Sequence, residues 1–164
     1  MALHLPINGE CNIQCVFCSA AGRTGGCAVA DLCRQIDADE TGHVQISGGD
    51  PLLKEPSELL EILLHCRKKN KIIEFQTNAV LATVYDPKRF KLIAKLVDFF
   101  NVNFSAHTPE LDSAVTLVSD GFRRRFDGVR DMAEIGARVR LTYIVHSLNF
   151  RHAPDFVDFV HRAL

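Results

Sequence analysis

Long apolar stretches are missing from this 164-residue sequence, and so is any large excess of charge of one sign. No run approaches the roughly 20 apolar residues that cross a bilayer. The opening MALHLPINGEC is too short and too polar for a signal peptide. The net charge of −1 gives no electrostatic reason to expect nucleic acid or an anionic membrane as a partner. We therefore expect a cytoplasmic protein that binds neither nucleic acid nor membrane.

Disulfides are also not expected, because a reducing cytosol keeps thiols free. Six cysteines nevertheless occur, and three of them fall within CNIQCVFC, from Cys11 to Cys18, with the spacing C-x3-C-x2-C. Clustered cysteines in such a compartment favour metal ligands or catalytic thiols over structural crosslinks.

Short apolar strands alternate with amphipathic helices along the whole chain. The helices following the second and third strands begin at Pro56 and at Asp86-Pro87, which are favourable first-turn residues. Strict alternation implies parallel strands with right-handed crossovers, so the predicted class is α/β with about five βα units in one domain, 1–164. The predicted strands are residues 3–7, 43–47, 72–78, 99–107 and 138–146.

Candidate functional residues follow the predicted strands. In parallel α/β folds, functional groups gather at the C-terminal ends of the strands, whether the sheet curls into a barrel or stays open. The residues predicted to meet there are the cysteine loop, Gly48-Gly49-Asp50, Thr77-Asn78, Ser105-Ala106-His107 and His146 through Asn149.

Three neighbouring thiols suit one kind of metal site better than others. Thiolates bind zinc, copper(I) and iron–sulfur clusters, but a closed zinc site and an ordinary electron-transfer cluster each use four ligands. Three thiolates on one loop can hold three irons of a [4Fe–4S] cluster and leave the fourth open to a small molecule. Cys27 is the candidate fourth ligand, so a noncatalytic zinc or iron–sulfur binding module stays open as an alternative.

Cys11, Cys15 and Cys18, with the aromatic Phe17 before the last of them, resemble the signature of the radical S-adenosylmethionine (radical SAM) superfamily. The order of βα units also resembles that family's partial (β/α) barrel. The resemblance implies a [4Fe–4S] cluster on these cysteines that reductively cleaves S-adenosylmethionine. The resulting 5′-deoxyadenosyl radical would abstract hydrogen from a substrate that the sequence does not identify. It also implies an external electron donor of the flavodoxin or ferredoxin kind.

The same resemblance assigns cofactor-binding residues. SGGDP, at 47–51, resembles the family's glycine-rich motif for the methionine amino group, with Asp50 where the family has Glu. Gly48 and Gly49 would let the backbone approach the ligand, and Asp50 would attract its ammonium. Phe17 would touch the adenine, and Ser105 resembles a polar contact to ribose or methionine. Asn78 is a further candidate, with a turn residue as its alternative.

Other residues have ordinary roles as their first interpretation. His107 is expected in a solvated loop, and Cys33 and Cys66 as buried or incidental thiols. Of the three arginines at 123–125, expected on a solvated helix face, Arg123 is the candidate partner of the methionine carboxylate.

The resemblance also carries an expectation about completeness. The family core has six βα units, whereas this sequence provides five and ends at Leu164. We therefore expect a C-terminally incomplete core, either served by a complementing partner segment or inactive as a truncated family member. No cysteine follows Cys66, so no C-terminal auxiliary cluster is predicted.

Overall fold

Five parallel strands form one sheet in the order of the chain, β1-β2-β3-β4-β5. The structure is a computed structural model that describes residues 2–164. Every neighbouring pair of strands is parallel, which confirms the predicted α/β class. The strands are β1 Leu3–Asn8, β2 His43–Gly48, β3 Ile72–Thr77, β4 Phe99–Asn103 and β5 Val139–Thr142.

Six α-helices connect the strands or follow the last one, and sequence signals mark several of their starts. Pro56 and Pro87 occupy the first helical turn, where a missing N–H costs nothing. The Asp86 side chain caps its helix by accepting a hydrogen bond from the backbone of Arg89. The helices are α1 Val29–Ala38, α2 Pro56–Lys68, α3 Pro87–Leu96, α4 Pro109–Thr116, α5 Gly121–Glu134 and α6 Ala153–Ala163. None of the described helices is both long enough and apolar enough to cross a bilayer.

The two faces of the sheet differ in polarity. One face packs against the helices and is apolar, with Leu5, Ile46, Phe75 and Val102 fully or almost fully buried in the main core. The other face is called the inner face here, and most of its residues are polar. Its polar members are His4, Gln45, Ser47, Glu74, Gln76, Asn101, Asn103, Arg140 and Thr142. Polar residues alternate with apolar ones because only one face of this sheet is covered by helices.

The last two strands are shorter than predicted. β4 ends at Asn103, and β5 spans only Val139–Thr142. The fully buried side chain of Asn149 explains the early end of β5. Its amide donates to the carbonyl of Ile144 at 2.9 Å and accepts from the backbone N–H of His146 at 2.8 Å. These bonds close a loop in which residues after Thr142 do not continue the strand.

Helix α4 was not predicted, because no element was assigned between the strand predicted to end at residue 107 and the helix that carries the arginines at 123–125. Thr108 and Pro109 are the signal for it: the Thr108 hydroxyl accepts from the backbone N–H of Leu111, and Pro109 fills the first turn. The arginines at 123–125, expected on a helix, lie on α5.

Candidate active site

The cysteine loop joins β1 to α1 at the C-terminal edge of the sheet. Cys11, Cys15 and Cys18 line one cavity there, together with Gly48, Gly49 and Asn78. The expected meeting of the first three strand ends is therefore observed. Phe17 also lines this cavity, and its ring centroid lies 5.3 Å from that of His146.

Backbone hydrogen bonds hold the cysteine loop from two sides. On one side, the N–H of Asp50 donates to the carbonyl of Glu10 at 2.7 Å. On the other, Gln14 donates to the carbonyl of Thr116 and Val16 to that of Val115, both at 2.9 Å. The C-terminal end of α4 therefore fixes the segment between the first and last cysteines of the motif.

Burial raises the pKa of two of these thiols, Cys11 and Cys15. Burial raises the pKa of Cys15 to about 11, with the positive charge of Arg125 opposing the shift and the other two thiols adding to it. Burial also raises the pKa of Cys11, although the side chain of Asn78 lies 3.6 Å from its sulfur as a hydrogen-bond donor. A metal that binds here must displace these protons.

The spacing of the sulfurs bears on which metal group fits. A tetrahedral zinc ion with Zn–S bonds of about 2.3 Å holds its sulfur ligands within about 4 Å of each other. Among residues 2–164, these three thiols do not form a group whose ligand atoms all lie within 4.8 Å. Cys27, the candidate fourth ligand, lines neither cavity beside the three cysteines, and its thiol contacts the carbonyl of Pro6 at 3.5 Å. Three thiols in one cavity, with Cys27 outside it, fit a cluster that takes three protein ligands.

The two glycines are required by contact with the cysteine loop. A Cβ at Gly49 would lie 1.7 Å from the carbonyl oxygen of Glu10, and one at Gly48 would lie 2.2 Å from that of Asn8. Gly48 also has a φ of +129°, which L side chains rarely adopt. The backbone of the glycine turn therefore approaches another group closely, as predicted. That group is the protein's own backbone and not a ligand.

The Asp50 carboxylate is directed into the protein. This side chain is 1% exposed, and it accepts hydrogen bonds from the Leu52 and Asn78 backbones and the Thr77 hydroxyl at 2.9–3.1 Å. Burial raises the pKa of Asp50, while these bonds oppose the rise. The carboxylate ties the turn after β2 to the end of β3. This placement argues against the predicted contact with a ligand ammonium.

Asn78 and Ser105 are both buried. Asn78 donates to the side chain of Asn12 at 2.7 Å as well as approaching Cys11, so it supports the cysteine loop. The Ser105 hydroxyl accepts from the backbone N–H of Ile144 at 3.0 Å, and Ile144 lines the cavity. Ser105 therefore positions the wall of the cavity.

The arginines of α5 are placed differently from the expectation. The side chain of Arg123 is 80% exposed and pairs with Asp127 at 2.8 Å, so it does not reach the cavity. Arg125 instead is fully buried, pairs with Asp112 and donates to the carbonyl of Asn103. The sequence alone did not show that Arg125 would be the buried arginine. Neighbouring arginines on a helix look alike in sequence, and they differ only in whether their side of the helix is covered by the rest of the protein.

Cys66 and Cys33, expected as buried or incidental thiols, differ in burial. Cys66 is fully buried, as predicted, and burial raises its pKa to about 12. Cys33 is only half-buried on α1.

His107 is also half-buried, in the loop between β4 and α4 rather than in the cavity.

A polar network on the inner face was missed by the sequence analysis. One carboxylate oxygen of Glu74 accepts from the side chains of Gln45, Gln76, Asn101 and Arg140, at 2.9–3.1 Å. The network joins four strands, and two of its members, Gln76 and Asn101, also line the cavity. The signal was present as polar residues at every second position of strands that were described as apolar.

The sequence pattern of the Radical SAM superfamily matches residues 5–160. The chain belongs to the radical SAM superfamily. Membership confirms that this is an enzyme of radical SAM type, with a [4Fe–4S] cluster and S-adenosylmethionine as its cofactors. The three thiols and the adjoining glycine turn fit that cofactor pair, since they share one cavity.

Sequence relatives and a solved structure agree with this membership. The chain is 28% identical to "Probable GTP 3′,8-cyclase" of Methanothermobacter thermautotrophicus, over 97% of this chain and 53% of that protein. It is 27% identical to the protein of the same name from Pyrobaculum aerophilum, over 87% of this chain and 47% of that protein. The radical SAM chain thus spans about half the length of these relatives. The crystal structure of Streptococcus suis SuiB superposes with a TM-score of 0.76 at 18% identity, over 99% of this chain and 37% of that chain. That likeness confirms the predicted partial-barrel fold.

Proposed function

We propose that Cys11, Cys15 and Cys18 hold the [4Fe–4S] cluster and that S-adenosylmethionine occupies the cavity beside it. The observation that carries the proposal is that all three thiols and the Gly48-Gly49 turn line this one cavity. When bound, the cluster supplies the electron that cleaves S-adenosylmethionine and yields the 5′-deoxyadenosyl radical. The substrate that loses hydrogen to this radical is not identified by the residues.

The surrounding residues orient and shield the ligands. We assign the ammonium contact to backbone carbonyls of the Gly48-Gly49 turn, because the Asp50 carboxylate is fully used inside the protein. Phe17 and Ile144 give the cavity apolar walls that exclude water from the reacting groups and suit the adenine ring. Asn78 stabilises the thiolate of Cys11 by hydrogen bonding once the proton has left.

Iron binding and S-adenosylmethionine cleavage test the cluster assignment. Anaerobically reconstituted protein is expected to bind about four irons per chain and to form 5′-deoxyadenosine with a strong reductant. Cys15→Ala should lose both properties, whereas the matched Cys27→Ala should keep them. Equal loss in Cys27→Ala would contradict the three-ligand site. Full iron without any 5′-deoxyadenosine would favour the noncatalytic iron–sulfur module.

Phe17→Ala separates cofactor binding from cluster binding. Removing the ring should weaken S-adenosylmethionine binding about tenfold or more, as expected when a buried aromatic contact of about 1.5–3 kcal/mol is lost, while the iron content stays unchanged. Calorimetry on the reconstituted protein measures this. Gly49 is unsuitable for the same test, because any side chain there would strike the backbone of Glu10. Unchanged affinity in Phe17→Ala would place the adenine elsewhere.

A nucleotide is the first substrate class to test. The relatives named for GTP 3′,8-cyclase activity favour GTP, and the side-chain amides of Gln76, Asn101 and Asn103 give the cavity hydrogen-bonding groups for a purine. GTP should then increase 5′-deoxyadenosine formation over the substrate-free rate, and ATP should do so less. Equal rates with GTP, ATP and no nucleotide would remove this candidate.

The reaction also needs an electron donor, for which we propose a flavodoxin- or ferredoxin-like protein.

All six cysteines are free, which agrees with a reducing compartment, and we propose the cytoplasm as the location of this protein.

A further inference from the structure

Two histidines and one aspartate form a second group of metal-binding side chains, outside the cysteine cavity. His107 lies in the loop between β4 and α4, His152 immediately precedes α6, and Asp155 lies in the first turn of α6. Each offers one ligand atom, and the three atoms lie within 4.8 Å of one another. Two imidazoles and one carboxylate are a common ligand set for first-row divalent transition metals.

The separations within this group suit a shared ion better than direct hydrogen bonds. Nδ1 of His152 lies 3.4 Å from Oδ2 of Asp155, and Nε2 of His107 lies 4.0 Å from the same oxygen. Good hydrogen bonds to nitrogen donors are about 2.9–3.0 Å long. Metal bonds of about 2.0–2.2 Å, arranged tetrahedrally, keep neighbouring ligand atoms about 3.3–3.6 Å apart. A small inward movement of His107 would bring its Nε2 to that spacing from Asp155.

The imidazole of His107 also lacks any hydrogen bond. Its side chain is 20% exposed. Within the described part of the chain, its Nδ1 is buried without a partner. The ring instead lies beside that of His152, with 5.3 Å between centroids. Its other ring nitrogen, Nε2, is the one that lies near Asp155, so Nε2 is the atom that this ring offers to an ion.

We propose that His107, His152 and Asp155 bind one divalent zinc-type ion that joins the loop after β4 to the start of α6. The side chains of His152 and Asp155 are 45% and 58% exposed, so an ion can reach the site and keep a water ligand. Without the ion, α6 depends on Phe156 and Phe159 packing against Phe104.

The proposed ion would act on the fold at a point close to the cavity wall. His107 follows Ser105 by two residues, and Ser105 holds the backbone of Ile144, which lines the cavity. Fixing the loop after β4 would therefore also limit movement of that wall. The site shares no ligand with the cysteine loop, so it does not depend on the proposed function.

Zinc titration of the full chain tests the proposal. A Cys11→Ala, Cys15→Ala, Cys18→Ala variant removes the thiols that would compete for zinc. Calorimetry with ZnCl2 is expected to show one bound ion, and thermal unfolding should show a higher Tm with zinc than without it. The same titration of the reconstituted protein, with its cysteines intact, checks that the triple variant has not created or destroyed the site.

Single changes in the same background identify the ligands. His107→Ala, His152→Ala and Asp155→Asn should each weaken zinc binding at least tenfold and abolish the rise in Tm. His161→Ala is the matched control, because His161 is exposed on the same helix outside the group. The proposed site would be wrong if zinc still binds after His107→Ala. It would also be wrong if His161→Ala weakens zinc binding as much as the ligand changes do. Absence of binding in both the triple variant and the reconstituted protein would do the same.

Discussion

Replacing Arg125 by methionine tests how the second half of the chain supports the cysteine loop. Arg125 and Asp112 are each 0% exposed and pair with one another, which joins α5 to α4. The guanidinium also lies 4.8 Å from the centre of the Phe104 ring. Arg125→Met would leave the Asp112 carboxylate buried without a counter-charge. Removing one partner of a buried pair costs about 3–5 kcal/mol, because the remaining charge is uncompensated.

The groups that remain around Asp112 in Arg125→Met do not reduce the free-energy cost of its unpaired carboxylate. One carboxylate oxygen of Asp112 already lacks a hydrogen bond among the described residues, and the nearby hydroxyl of Thr116 is neutral and cannot replace the charge of Arg125. Burial raises the pKa of Asp112 even beside Arg125, and it would rise further without it. A carboxyl with a raised native pKa destabilises the fold increasingly as pH rises through that pKa. The penalty in Arg125→Met should therefore be smaller at pH 5 than at pH 8.

Urea unfolding of the reduced, metal-free chain, followed by circular dichroism, measures the effect. The exposed Arg123→Met is the matched control and should change the free energy of unfolding by no more than about 0.5 kcal/mol. Arg125→Met combined with Asp112→Leu should recover much of the loss, because a buried pair can be replaced by apolar residues at little cost. A loss below about 1 kcal/mol in Arg125→Met, or a double variant as unstable as the sum of the single ones, would refute the reasoning.

Three further predictions concern other parts of the fold. Gly128→Ala should lower the free energy of unfolding by about 1–3 kcal/mol, since its Cβ would lie 2.0 Å from the Ala79 carbonyl oxygen; urea unfolding measures this, and a stabilised variant would contradict it. Burial raises the pKa of Cys66 to about 12, so this thiol should resist iodoacetamide at pH 8 until the chain unfolds, as mass spectrometry of its peptide would show. Hydrogen bonding to Lys71 lowers the pKa of Asp39, so Asp39→Asn should lower Tm more at pH 7 than at about pH 2, where protonation of Asp39 begins to remove the pair's contribution; an equal loss at both pH values would count against the pair.

The sequence predicted the features that depend on local spacing. The cysteine motif and the Gly48-Gly49 turn follow directly from residue order, and their position at strand ends follows from the alternation of strands and helices. The parallel order of all five strands was predictable for the same reason.

Features that depend on distant partners were not predictable. Asp50 looked like a ligand contact because it follows two glycines, but its carboxylate is satisfied by Thr77 and Asn78, which only the fold brings near. Arg125 could not be distinguished from Arg123 without knowing that Asp112 lies on a further helix. Asp50 was therefore assigned to a ligand because its own partners are remote in sequence.

The bonds from α4 to the cysteine loop have a consequence for the order of events during synthesis. The loop is made before α4, so Gln14 and Val16 gain their backbone partners only when Val115 and Thr116 have been made and folded. Domains are made from the N-terminus at about 5–20 residues per second, so the contact from α4 can form only several seconds after Asp50, which bonds to Glu10, has been made. We expect the cluster to be inserted after α4 has docked, so that iron–sulfur assembly acts on a loop already held from both sides.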